Sequence, residues 1–350
     1  MKFFKRLVVA GLFLSATIPS QVNAQDFDLT GTMENMLNSG SEDASTMMGH
    51  YLAPIFKGFG YGMNSGWYNT AKNHKVGGVD LTFTMAFAKV PDADLFYEFV
   101  QSEYSSLSIV GADTQLPTVA GGASTVTMQS SVNAGGFTVS KSFNAPGGIQ
   151  PVLDDVPVVN LNAAVPLPMA QLTIGLIKNT DLTLRIVPEI GDSTSFKMFG
   201  LGAKHDIKQW IPGIKQLPFD LAGFFGFTNM KFSALLDEPG QEASYSMYAT
   251  TGQVIISKKL LVFTPYFSVG FNQYKSKVSL LGDYTIEDDD YAINQLAFTI
   301  TDPLSEKEYK GGGLRSSIGG RLKLAVFTFH ADYTIQEYNT FTAGFGISVR

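Results

Sequence analysis

Near the end of the chain, Phe327, Phe329, Ala331, Tyr333 and Ile335 alternate with Thr328, His330, Asp332 and Thr334. A two-residue period belongs to a β-strand whose two faces meet different surroundings. The period recurs in Val79, Leu81, Phe83, Met85 and Phe87, in Phe219–Phe227, in Phe263–Phe271 and in Phe341–Val349. One face of each segment is greasy and aromatic, and the other is small or polar. Two architectures produce that pattern. A soluble sandwich buries the greasy face; a transmembrane barrel turns it to lipid and keeps the polar face in the lumen.

Three features favour the barrel. The alternating segments are long enough for a tilted membrane span, whereas mean soluble strands have only about 5–6 residues. Short connections at Lys89–Ala93, Val132–Asn133, Lys178–Thr180, Lys258–Leu260 and Leu324–Ala325 interleave with long polar ones near 104–122, 143–167, 230–244 and 276–312. Barrels of the outer membrane show such unequal ends. Aromatics also gather near segment ends, at Trp67, Tyr68, Phe96, Tyr97, Trp210, Tyr338 and Phe341, as interfacial girdles require. The reading is therefore all-β: an antiparallel transmembrane β-barrel of about 14 strands over residues 57–350, its first strands at 57–68, 77–88, 94–103, 123–131 and 134–142. A soluble periplasmic or surface β-protein is the alternative.

Composition narrows the partners. Charged residues make up 16% of the chain, the net charge is −6 and there is no Cys. A basic surface for nucleic acid is not expected, and disulfides, thiolate zinc sites and cysteine nucleophiles are excluded. Lys2, Lys5 and Arg6, the apolar run Leu7–Ile18 and the small residue Ala24 read as a signal peptide over 1–24, cut before Gln25. The apolar run is too short for a spanning helix, which needs about 20 residues. Export without cysteine points to a bacterial envelope.

Residues 25–56 read as an N-terminal helical plug. Ser41 caps a helix with Glu42 and Asp43 in its first turn. Met48, Tyr51, Leu52, Ile55 and Phe56 share one face, and Pro54 is expected to end or kink the helix near Ala53. A shorter helix over 32–37 carries Met33 and Met36.

The signals for chemistry are sparse. His50, His74, His205 and His330 lack metal-ligand or catalytic spacing. The run Gly62–Gly66 is near a nucleophile turn, but its Ser65 is misplaced for one. Glu287–Asp290 is a carboxylate run without EF-hand spacing, read as a solvated loop. Strand parity turns Arg185, Asp220, Arg315, Arg321, Lys323, His330 and Asp332 inward. Arg185, Asp220, Arg315, Arg321, His330 and Asp332 are the lumen-facing transport candidates; Met48, Tyr51, Leu52 and Phe56 are the plug candidates. His330 and Asp332 share one strand face, as a pair or as ordinary lumen lining. No cofactor, no metal and no enzymatic role are expected.

The stretch GLGAKHDIKQWIPGIKQLPFDL, Gly200–Leu221, resembles a block of an uncharacterised Bacteroidetes outer-membrane β-barrel family. In architecture the whole mature chain resembles the long-chain fatty-acid transporter type. The Asn-Pro-Ala motif of that type's plug is missing, and the chain ends Val349-Arg350 where many such barrels end in an aromatic. These resemblances imply the outer membrane of a Gram-negative bacterium and passive uptake of a small hydrophobic or amphipathic solute through a plugged lumen. Outer-membrane lipid and the barrel-assembly machinery are the implied partners. Two alternatives stay open: a structural or surface-interaction barrel without transport, and a lipid-modifying enzyme of the outer membrane.

Overall fold

The computed structural model describes residues 41–134, 137–148, 163–190, 194–235, 239–286 and 298–349. The segment 1–24 read as a signal peptide, the segment 25–40 read as part of the plug, with Met33 and Met36, and the acidic run 287–290 lie outside the described residues.

Among the described residues, one α-helix, α1 (Ser41–Met63), precedes all the strands. The barrel wall consists of β1 (Val79–Lys89), β7 (Ala164–Leu176), β8 (Thr180–Ile190), β9 (Thr194–Asp206), β10 (Asp220–Leu235), β11 (Glu242–Ser257), β12 (Phe263–Leu281), β15 (Leu304–Leu324), β16 (Phe327–Ile335) and β17 (Thr340–Val349). They form one closed antiparallel ring in the order β1-β17-β16-β15-β12-β11-β10-β9-β8-β7. β1 closes it by pairing with both β17 and β7. Between β1 and β7 runs an insert containing β2 (Phe96–Glu98), β3 (Leu107–Val110), β4 (Gln115–Pro117), β5 (Thr127–Ala134) and β6 (Phe137–Asn144), in the small sheets β2-β4 and β3-β5-β6. A hairpin, β13 (Asp283–Ile286) with β14 (Phe298–Thr301), projects between β12 and β15.

The wall has ten strands, not fourteen. Segments 94–103, 123–131 and 134–142, read as wall strands from their local alternation, belong to the insert. Segment 57–68 was misread for a different reason. In Gly58, Phe59, Gly60, Tyr61, Gly62 the alternation of glycine with aromatics imitates a strand, yet these residues continue α1. A Cβ at Gly58 would be driven into Val165, and one at Gly60 into the ring face of Tyr274. The glycines let the helix lie against the wall, and that packing outweighs their poor helix propensity. Pro54 likewise sits inside the helix and does not end it.

The two mouths of the barrel differ. At one, the connections 177–179, 207–219, 258–262 and 325–326 are short to intermediate, and Val79 pairs there with both Val349 and Ile174. Lys178 and Asn179 both have positive φ, the backbone of a tight hairpin. The opposite mouth carries the insert 90–163 and the hairpin connection 282–303. Lys89–Ala93 opens the insert at this long-loop mouth, and Val132–Asn133 lies within β5, so neither is a short-mouth turn.

The alternation sorts as a barrel requires. On β16, Phe327, Phe329, Tyr333 and Ile335 are exposed outward, while Thr328, His330, Asp332 and Thr334 are buried in the lumen. Phe83, Phe225, Phe267, Phe271 and Phe345 extend the outward apolar belt. A soluble sandwich would hide these rings; here they form the outer surface. Trp67, Tyr68 and Tyr338 depart from the girdle expectation. Trp67 and Tyr338 are buried inside the barrel, and the Tyr68 hydroxyl bonds to Gln253 and Ser268 on the inner wall.

Candidate functional site: a lumen filled by residues 41–78

The lumen is occupied by α1 and by the irregular segment 64–78 that follows it. The plug divides into an outer half and an inner half.

The outer half is apolar. Met47, Met48 and Tyr51 pack with Phe99, Leu107, Leu116 and Met128 of the insert, with Leu52 partly buried against them. Phe56, Tyr61 and Met63 pack with Leu167, Met198, Tyr245 and Tyr274 of the wall. Phe56 stacks on Tyr245 at 4.8 Å between ring centroids, and Tyr61 on Tyr338 at 5.3 Å. All four plug candidates, Met48, Tyr51, Leu52 and Phe56, therefore lie in plug-to-barrel packing. Charged side chains also tie α1 to the insert: Lys57 pairs with Asp94 at 2.9 Å, and Asp43 anchors the first turn. The Asp43 carboxylate accepts hydrogen bonds from Ser105 and Ser106, both backbone and hydroxyl, and from the Leu107 backbone. Burial opposes its ionisation, but these donors hold its pKa below the usual carboxylate value.

The inner half is polar. Beyond Met63 the main chain makes few bonds to itself, so its carbonyls need donors from the wall. Arg185 on β8 donates to the carbonyls of Met63 (2.8 Å) and Ser65 (2.6 Å), and to the Gln171 side chain (3.1 Å). Its guanidinium lies 3.6 Å from the centre of the Trp67 ring. Arg315 on β15 donates to the Asn64 carbonyl at 2.6 Å and to the Ser65 hydroxyl at 3.3 Å. β8 and β15 stand on opposite sides of the ring. Two guanidiniums thus reach from facing walls to the C-terminal end of α1, where the helix dipole favours positive charge. Among the described residues neither Arg185 nor Arg315 is ion-paired to a carboxylate.

A third cation continues the ladder. Lys204 on β9 donates to the carbonyls of Thr70 (3.0 Å) and Lys72 (3.1 Å), and lies 3.2 Å from Asp181. The His74 backbone donates to Asp181 at 2.9 Å; its ring lies 3.0 Å from Asp181 and 3.6 Å from Asp80. Arg321 pairs with Asp80 at 3.3 Å. Burial alone pushes the His74 pKa down, but the two carboxylates outweigh it and hold the ring above its ordinary value.

Of the residues singled out from sequence, Arg185 and Arg315 meet at the end of α1, and Arg321 joins the His74 cluster. His330 and Asp332 do not pair. His330 lies 3.3 Å from Thr84, while Asp332 accepts from Tyr266 at 2.9 Å. Asp220 opens β10, half-buried at the short-turn rim. Ser65 is tied to the helix end, its hydroxyl donating to the Tyr61 carbonyl at 3.3 Å. Asp80, Asp181 and Lys204 escaped the sequence reading, although strand parity places them inward, and for His74 that reading gives only the lack of metal-ligand or catalytic spacing. Among the described residues, a cavity of about 20 Å³ lies beside Trp67, His74 and Lys204 and one of about 10 Å³ beside Asn64, Tyr68 and Arg315. Each is the size of one water.

No curated protein matches the chain. Among solved structures it is similar to Ail, the attachment invasion locus protein of Yersinia pestis, at 10% identity and a TM-score of 0.27 over 78% of this chain and 99% of that one. It is also similar to the translocator domain of the autotransporter NalP from Neisseria meningitidis, at 12% identity and a TM-score of 0.26 over 90% of this chain and 99% of that one. The Ralstonia pickettii toluene transporter TbuX is 8% identical, with a TM-score of 0.16 over 79% and 90% of the two chains. Similarity this low carries no argument about this protein, whose barrel assignment rests on its own closed register. Residues 1–349 match the family of unknown function DUF6588, and the chain belongs to that family.

Proposed function

We propose that this protein is an outer-membrane β-barrel of a Gram-negative bacterium that admits a small hydrophobic or amphipathic solute when its plug relaxes, by binding and not by chemistry. Lipid meets the outward belt, and the barrel-assembly machinery inserts the wall. One observation carries the reading. The inner half of the plug is held by hydrogen bonds from Arg185, Arg315 and Lys204 to main-chain carbonyls. Such bonds exchange with water or a polar solute group at a modest net cost of about 1.5–3 kcal/mol each. The solute class follows from the outer half, where Met47, Met48, Tyr51 and Phe56 offer an adaptable apolar face.

A second reading has its own support. The cavities beside Trp67 and beside Arg315 are each about the size of one water, and such close filling around segment 64–78 suits a barrel that conducts nothing and presents its insert to a partner.

A reversible lock separates the two. A Cβ at Gly62 would lie 3.9 Å from the Cβ of Ala88, within the range that a disulfide spans. The chain has no other cysteine. In liposomes, the Gly62→Cys/Ala88→Cys protein should show no flux of an amphipathic dye when oxidised and wild-type flux when reduced. Equal absence of flux in wild type, oxidised and reduced protein would favour the non-conducting barrel.

A further inference from the structure

The plug has a direction. The start of α1 lies at the long-loop mouth. Asp43 is held by Ser105, Ser106 and Leu107 of the insert, His50 lies 3.0 Å from Glu103 and stacks on Tyr97, and Tyr309, near the start of β15, donates to the Gly49 carbonyl at 2.7 Å. The chain then passes Arg185 and Arg315 at the end of α1 and Lys204 near the end of β9. His74 follows on Asp181, and Gly77 bonds to Gly175 at the short-turn mouth. Only there does Val79 open the wall. The main chain crosses the barrel from the long-loop mouth to the short-turn mouth before it builds any strand. α1 alone, 23 residues long, covers about 34 Å at 1.5 Å per residue.

Both ends of the wall, Val79 and Val349, are at the short-turn mouth. A chain arriving from that side would reach Val79 without entering the lumen. In this one the start of α1 is held at the other side, by the insert and by Tyr309. In outer-membrane barrels the short turns are periplasmic and the long loops extracellular.

We propose that the barrel carries its own N-terminal segment to the cell surface, so that the chain preceding Ser41 is displayed outside while the wall begins and ends in the periplasm. This rests on the outer-membrane assignment proposed above. Threading also requires a free N-terminus, so export must include cleavage at the signal sequence read over residues 1–24; an N-terminus still anchored in the inner membrane could not reach the outer mouth.

The lack of cysteine makes the test direct. Glu42, at the start of α1, and Lys72 and Lys258, at the short-turn end, are all exposed. Glu42→Cys, Lys72→Cys and Lys258→Cys are each treated with a membrane-impermeant maleimide on intact cells and on cells with a permeabilised outer membrane. Glu42→Cys should label equally in both, and the other two only after permeabilisation. An epitope inserted after Gln25 should bind antibody on intact cells. Shielding of Glu42→Cys or of the epitope on intact cells, in protein that still fractionates with the outer membrane, would overturn the threading alone. Labelling of Lys258→Cys on intact cells would overturn it by inverting the barrel. Absence from the outer-membrane fraction would remove the parent reading and this one together.

Discussion

The two halves of the plug are held by opposite means. α1 satisfies most of its own carbonyls, so its outer half is held mainly by shape, Met48, Tyr51 and Phe56 against apolar side chains and glycines where the wall comes close, with polar ties such as Asp43 to the insert. Segment 64–78 has no helix or sheet of its own, so its carbonyls take donors from Arg185, Arg315 and Lys204. The inward cations therefore stand where the plug loses regular structure. A buried cation in a barrel wall need not announce a carboxylate partner or a ligand; it can serve a main chain that cannot serve itself.

Removing a cation should break this division most sharply. Arg185→Ala leaves the carbonyls of Met63 and Ser65 without their donors. Two charge-assisted bonds at about 1.5–3 kcal/mol each give a loss of about 3–6 kcal/mol. Amide exchange should rise across residues 64–72 while the first turns of α1 stay protected; uniform loss of protection would show that the halves are one unit. Arg185→Lys should not restore protection, because a single ammonium cannot reproduce the fork.

Gly60→Ala attacks the outer half. Its methyl group collides with Tyr274, and overpacking of this kind costs about 1–3 kcal/mol. Exchange should increase in α1 more than at residues 70–78. Asp43→Asn is expected to cost about 1–2 kcal/mol by weakening the tie to Ser105–Leu107. Because the folded pKa of Asp43 is depressed, its contribution is present above the usual carboxylate value and lost as pH falls through the lowered one. Proteolysis of the insert should accelerate in acid in wild type and less so in Asp43→Asn.

The smallest effect is a pH dependence of the inner half. The His74 pKa is raised, so its contribution is complete below the usual histidine value and fades as pH rises through the raised one. Asp181 and Asp80 lie against the ring, and Lys204 and Arg321 pair with the same two carboxylates. Protection factors at residues 70–78, corrected for the base catalysis of amide exchange itself, should fall from mildly acidic to alkaline pH in wild type. His74→Gln should flatten the profile, and an unchanged slope in that variant would remove His74 as its source.

Strand alternation was legible because it is local: each outward Phe and inward Thr reports the medium its own face meets, whatever the rest of the chain does. The same reasoning turned Arg185, Arg315, Arg321, His330 and Asp332 inward from parity alone. Ring size was not legible, because closure depends on which strands pair. The insert strands alternate as the wall strands do, and Gly58–Gly62 alternates while being helical. The cation ladder was hidden more deeply. Its acceptors are backbone carbonyls, which every residue has, so nothing in the letters at Met63, Ser65 or Thr70 marks them as partners of Arg185 or Lys204. Sequence alone determined a two-faced sheet with a greasy exterior; the fold decided how many strands close it and which chain fills it, because both depend on contacts between residues far apart in the chain.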